Sequence, residues 1–148
     1  MILAFIGENC TGKSVVADCF QKEYSTEVFI GGDFRKFDKN KQVAEQIFRD
    51  KLKTYESELK PVIYIISERE HLRFLPENSV RVYFFADIDT IKERFAERTG
   101  GKLPPGVAEM LESKHGMFDD EKRDFEVNDT LDSVEDIYDS IKNKINIT

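Results

Sequence analysis

Cysteine is scarce in this 148-residue chain, with only Cys10 and Cys19 present. Two thiols cannot build a disulfide framework, and their spacing is not that of a metal-ligand set. Small buried or half-buried thiols are the expected role of both. Long apolar runs are missing too: nothing approaches the roughly eighteen residues that would span a bilayer. The apolar start, Met1-Ile2-Leu3-Ala4-Phe5-Ile6, is too short for the hydrophobic region of a secretion signal, has no basic flank and runs straight into a glycine motif. No membrane partner and a cytoplasmic address are therefore expected. Positive charge is in deficit, with 22 Lys and Arg against 29 Asp and Glu and a net charge of −7. Proteins that grip a long phosphate backbone present a basic face, so nucleic acid is not the expected partner and any anion must be caught locally. Repeats, low-complexity tracts and flexible linkers are absent, so residues 1–148 read as one domain. His71 and His115 have no metal or triad companions at useful spacing and read as surface or packing residues.

Short apolar runs alternate with amphipathic stretches, the pattern of βαβ units on a parallel sheet. Ile2–Ile6, Glu27–Ile30, Val62–Ile66, Val80–Phe85 and, weakly, Phe125–Val127 read as strands. Helical spacing is found over 13–24, over 39–59 with Val43, Ile47, Phe48, Leu52, Tyr55 and Leu59 on one side, and around Ile88, Ile91 and Phe95. Further helices carry Val107, Met110 and Leu111, then Val134, Ile137, Tyr138, Ile141 and Ile145. About five parallel strands wrapped by helices make a three-layer α/β/α fold. The strand order is not readable from this pattern.

Gly7-Glu8-Asn9-Cys10-Thr11-Gly12-Lys13-Ser14 is a complete G-x-x-x-x-G-K-S motif lying between a strand and a helix. Glycine at its two fixed positions allows backbone conformations that turn successive N–H groups toward an anion. The following helix presents its positive dipole end to the same place. Lys13 can reach the β- and γ-phosphates of a nucleotide, and the Ser14 hydroxyl suits Mg²⁺. Farther on, Arg94 and Arg98 stand one helical turn apart just before the loop of Gly100-Gly101 and Pro104-Pro105. Two guanidiniums there could clamp charge developing on a transferred phosphoryl group while the loop excludes water.

Gly7–Ser14, Arg94-x-x-x-Arg98 after a strand, and Asp124-Phe125-Glu126-Val127-Asn128-Asp129 together resemble the P-loop nucleoside and nucleoside monophosphate kinases. From Leu75-Pro76 onward the layout is similar to guanylate kinases. The resemblance implies a P-loop kinase fold, MgATP as donor, Arg94 and Arg98 as lid arginines over a short lid at about 99–106, and Asn128, Asp129 and Thr130 beside the adenine. Guanylate kinases carry a small β-rich acceptor module after the second strand, where this chain shows one helical pattern, so GMP is not the implied acceptor. Gly32-Asp33-Phe34-Arg35 is instead similar to the Asp-then-Arg ending of the second strand in shikimate-, gluconate- and polynucleotide-kinase-like members. The third strand ends Ile66-Ser67-Glu68-Arg69, with its acid one residue late for a plain strand-end magnesium support.

The expected activity is transfer of the γ-phosphoryl group of MgATP to a small acceptor, a nucleotide or nucleoside. Lys13, Arg94 and Arg98 would neutralise charge, Ser14 would hold Mg²⁺, and Asp33 would orient or deprotonate an acceptor hydroxyl unless it merely caps its turn. Arg35 and Arg69 follow the second and third strands, where ligands of open α/β sheets collect, and are acceptor-binding candidates. Two alternatives stay open: a kinase for the 5′-hydroxyl of a nucleic-acid end, and a nucleotide-binding regulatory module with little turnover. The acidic Asp119-Asp120-Glu121 reads as a solvated loop.

Overall fold

The computed structural model describes residues 1–146. Five strands, β1 (Ile2–Ile6), β2 (Val28–Ile30), β3 (Val62–Ile66), β4 (Val80–Phe85) and β5 (Phe125–Asn128), form one sheet in the order β2-β3-β1-β4-β5. Every pairing is parallel, with Leu3 beside Ile63 on one side and Val80 on the other. The helices are α1 (Lys13–Tyr24), α2 (Lys41–Glu56), α3 (Ile88–Arg98), α4 (Val107–Lys114) and α5 (Val134–Lys144). None is long and apolar enough to cross a membrane.

Central strands read as unbroken apolar runs because both faces are covered. Leu3, Phe5, Ile63, Val82 and Phe84 face α1 and α5, meeting Val16, Phe20, Ile137 and Ile141. Ile2, Ala4, Ile6, Tyr64 and Ile66 face the opposite layer, where α2 contributes Ala44, Phe48 and Leu52. That second layer is aromatic: Phe48 meets Tyr64 edge-on at 5.1 Å, and Phe34 lies 5.0 Å from Phe74. Offset and edge-on contacts of this kind suit the ring quadrupole.

The expected three-layer fold is present, with some local corrections. Helix α2 is shorter than 39–59, and its inward face is Ala44, Phe48 and Leu52, while Val43 and Ile47 are exposed and Leu59 lies beyond its end. Two 3₁₀ segments, Gly31–Lys36 and Arg69–Phe74, follow β2 and β3. Asp119 and Glu121 are not simply solvated: Asp119 accepts from the Tyr83 hydroxyl at 2.8 Å and Glu121 pairs with Arg69 at 2.9 Å. His71 is a packing residue as expected, buried against Phe34 and Phe74.

Candidate active site

Parallel strands gather ligands at their carboxyl ends, and the glycine motif leaves β1 at that end. Gly7 N–H donates to the Ile66 carbonyl at 3.1 Å, pinning the loop to β3. A Cβ on Gly7 would collide with the Phe84 carbonyl. Gly12 sits at φ 88°, and a Cβ there would lie 2.7 Å from an Asp129 carboxylate oxygen. Both positions therefore require glycine, one for space and one for space and backbone together. Helix α1 begins at Lys13 with no side-chain cap and no acid in its first turn. Among the described residues, the backbone N–H groups of Asn9 through Ser14 find no acceptor. A run of unpaired donors at a helix N-terminus is an anion cradle.

Lys13 is buried inside this loop, 5% exposed, with its ammonium donating to the carbonyls of Gly7 and Glu8, both at 2.5 Å. Among the described residues no carboxylate meets it, and burial brings its pKa down to about 7. Ser14 is exposed beside it on the first turn of α1. The loop opens on a cavity of about 140 Å³ that also takes in Ile30 from β2, Ser67 after β3 and Arg98 at the end of α3. A neighbouring cavity of about 240 Å³ has Gly12, Val15, Arg94, Arg98 and Asp129 in its wall. The donor set therefore fits a magnesium nucleotide: unpaired amides and cations for phosphates, and a hydroxyl for the metal.

The two arginines, equivalent by spacing, are used differently. Arg94 is engaged: it donates to the Cys10 carbonyl at 3.0 Å, to the Asp129 carbonyl at 3.2 Å and to the Asp129 carboxylate. Burial lifts the Asp129 carboxyl above the ordinary aspartate range, and the Arg94 hydrogen bond works against that lift. Arg98 has no carboxylate partner among the described residues and borders both cavities. Asn128 and Thr130 close the turn after β5, Asn128 accepting from Thr130 N–H at 3.0 Å and Thr130 accepting from Asp87 N–H at 2.8 Å.

The acceptor-side candidates lie outside the phosphate cavity. Asp33 accepts from the N–H of Ile30, the last residue of β2, at 2.8 Å and sits 3.3 Å from the Lys36 ammonium, so its carboxylate is occupied in capping its 3₁₀ segment. Arg35 is exposed, 5.4 Å above the Phe34 ring. Arg69 is exposed and held by Glu121, while Glu68 pairs with Lys114 at 3.0 Å. At the end of β3 the residue that lines the cavity is Ser67, not an acid. Sequence reasoning gave Ser67 no role and read His115 as a surface or packing residue. The latter meets the Glu8 carboxylate at 3.0 Å, and no local spacing signals a contact between residues 107 positions apart.

No protein-family profile and no curated protein sequence matches this chain. Solved structures do match its fold. An uncharacterized protein from Eubacterium ventriosum superposes with a TM-score of 0.69 at 17% identity, covering 99% of this chain and 98% of that one. A shikimate kinase from Acinetobacter baumannii, bound to shikimate, gives 0.66 at 14% identity, covering 98% and 92%. A Bacillus subtilis protein in complex with phosphorylated GDP gives 0.68 at 18% identity, covering 99% and 96%. The fold is that of the shikimate kinase-like P-loop kinases; identities this low speak of fold alone.

Proposed function

We propose that this chain is a P-loop kinase that moves the γ-phosphoryl group of MgATP to a small acceptor, a nucleotide or nucleoside in the reading we favour. The observation that carries this is the convergence, on one cavity, of the unpaired amides of Asn9–Ser14, the buried Lys13 ammonium and the Arg98 guanidinium. Fixed donors in a water-poor site stabilise charge far better than mobile water does. Lys13 would hold the terminal phosphates, and Arg98 would neutralise charge on the moving group. Arg94, bound to Asp129 and to Cys10, would hold the loop in place while closing the nucleoside side. Magnesium, held by the Ser14 hydroxyl, would supply neutralisation of the phosphate oxygens. Asp33 would be the acceptor-side acid, with Arg35 and Arg69 as the acceptor-binding cations.

The test is release of ADP from MgATP in the presence of a panel of acceptors. The panel should span nucleosides, nucleoside monophosphates, hydroxy acids and sugars, since neighbours of this fold hold both shikimate and a guanine nucleotide. Stimulation by one class, abolished in Lys13→Ala, supports the reading. A second reading, a nucleotide-binding module with little turnover, draws on Ser67 lining the cavity where an acid would support the metal. It predicts a rise in melting temperature with MgATP and no ADP release with any acceptor.

A further inference from the structure

We propose that Glu8 is a positioning residue that fastens the phosphate loop to the chain segment following the lid. The proposal rests on Gly7–Ser14 being a nucleotide site. Glu8 fills a position of the motif where the backbone alone is needed, and a carboxylate beside a phosphate site is electrostatically unfavourable. Its side chain is turned out of the loop and buried, only 7% exposed. There it accepts from Gly116 N–H at 3.2 Å and meets His115 Nδ1 at 3.0 Å. A carboxylate oxygen can only accept, so Nδ1 must carry a proton in this contact.

His115 and Gly116 come directly after α4, and α4 comes directly after the 99–106 loop. That loop holds Gly100, Gly101 and Gly106 at positive φ with open space around each. The phosphate loop is gripped by the same unit at a second point, Cys10. Arg94 on α3 donates to the Cys10 carbonyl, and the Cys10 side chain packs with Ile91 and Leu111. The α3–lid–α4 unit therefore holds the loop at Glu8 and at Cys10, two residues apart, through contacts of different chemistry. Any displacement of the lid that shifts α4 is delivered to the loop through Glu8.

The experiment compares Glu8→Gln, His115→Leu, His115→Asn and the double variant Glu8→Gln/His115→Leu. Asparagine places an amide N–H where Nδ1 stood, so it tests the donor and not the ring. Calorimetry at 25 °C reads MgATP affinity, and thermal melting reads the fold. Glu8→Gln and His115→Leu should each weaken MgATP about tenfold, in the range expected when a carboxylate in a half-buried contact loses a hydrogen-bond partner. His115→Asn should restore most of the affinity, and the double variant should be no worse than the poorer single. A merely structural contact would lower the melting temperature and leave the dissociation constant unchanged. Wild-type affinity in Glu8→Gln and His115→Leu overturns the tie, as do additive losses or a His115→Asn variant as poor as His115→Leu. Should His115→Leu fail to fold, Glu8→Gln against His115→Asn still decides. A wild-type protein that binds no MgATP overturns the proposed function and the tie with it, whereas binding that ignores these substitutions overturns the tie alone.

Discussion

Lys13 has a cost that its motif conceals. Its ammonium is buried with only neutral oxygen partners, and its pKa falls from 10.5 to about 7. Between those values the unfolded chain binds more protons than the folded one, so stability should rise with pH across that window. The charged form below the window costs on the order of 5 kcal/mol relative to a solvated lysine. Lys13→Met should therefore be more stable than the parent at pH 7, and its stability should lose most of the upward slope toward pH 10, as read by denaturant titration at several pH values. Bound phosphate would favour the charged lysine again, so MgATP binding near pH 8 should take up a proton. Calorimetry in buffers of differing ionisation enthalpy reads that proton directly, and a buffer-independent enthalpy would refute it. The arginines divide in the same concrete way. Arg98→Ala should lower kcat by about a hundredfold or more with MgATP affinity little changed. Arg94→Ala, which strips the Asp129 carboxylate and the Cys10 carbonyl of a donor, should instead weaken MgATP binding and lower the melting temperature. The i, i+4 spacing made both residues legible as a pair; it could not separate them, because the partner that captures Arg94 lies 35 positions away.

Helix α2 shows which parts of an element can be read in advance. Its N-cap, Asn40, accepts from the backbone N–H groups of Gln42 and Val43 at 3.0 and 3.2 Å. Asn40→Ala should cost about 1 kcal/mol, a fall in melting temperature of roughly 2–4 °C for a chain of this size. An unchanged melting curve would show that the helix end is held by its packing alone. The inward face was harder to read, because Val43, Ile47 and Phe48 offer two overlapping apolar stripes. Packing chose the stripe through Ala44, whose small side chain lets the helix approach the sheet, and left Val43 and Ile47 exposed. Strands β1, β3 and β4 were plain as apolar runs. Strand β5 was faint because it is an edge strand with only Val127 fully buried. The two 3₁₀ segments escaped notice altogether, since six residues carry too little periodicity to register. They matter for the site: one of them spends the Asp33 carboxylate on the backbone N–H of its N-cap, Ile30.

The alternation of runs and helices foretold a parallel sheet but not its order, which depends on pairings 35 to 77 residues apart. That order places β1, the strand leading into the phosphate loop, at the centre. A fragment ending at residue 79 would supply β3 and not β4, leaving one edge of β1 unpaired and Phe84 missing from its face. Such a fragment should show no cooperative melting and no MgATP binding, and a sharp transition in it would contradict the central role of β4. The same arrangement bears on how the protein is made. Leu3 leaves the ribosome 77 residues ahead of its partner Val80, roughly 4–15 s at about 5–20 residues per second. For that interval a wholly apolar strand waits with at least one edge open, the state most prone to associate with other nascent chains. Yield in a cell should thus track translation speed and chaperone supply more closely than it tracks the thermal stability of the finished protein.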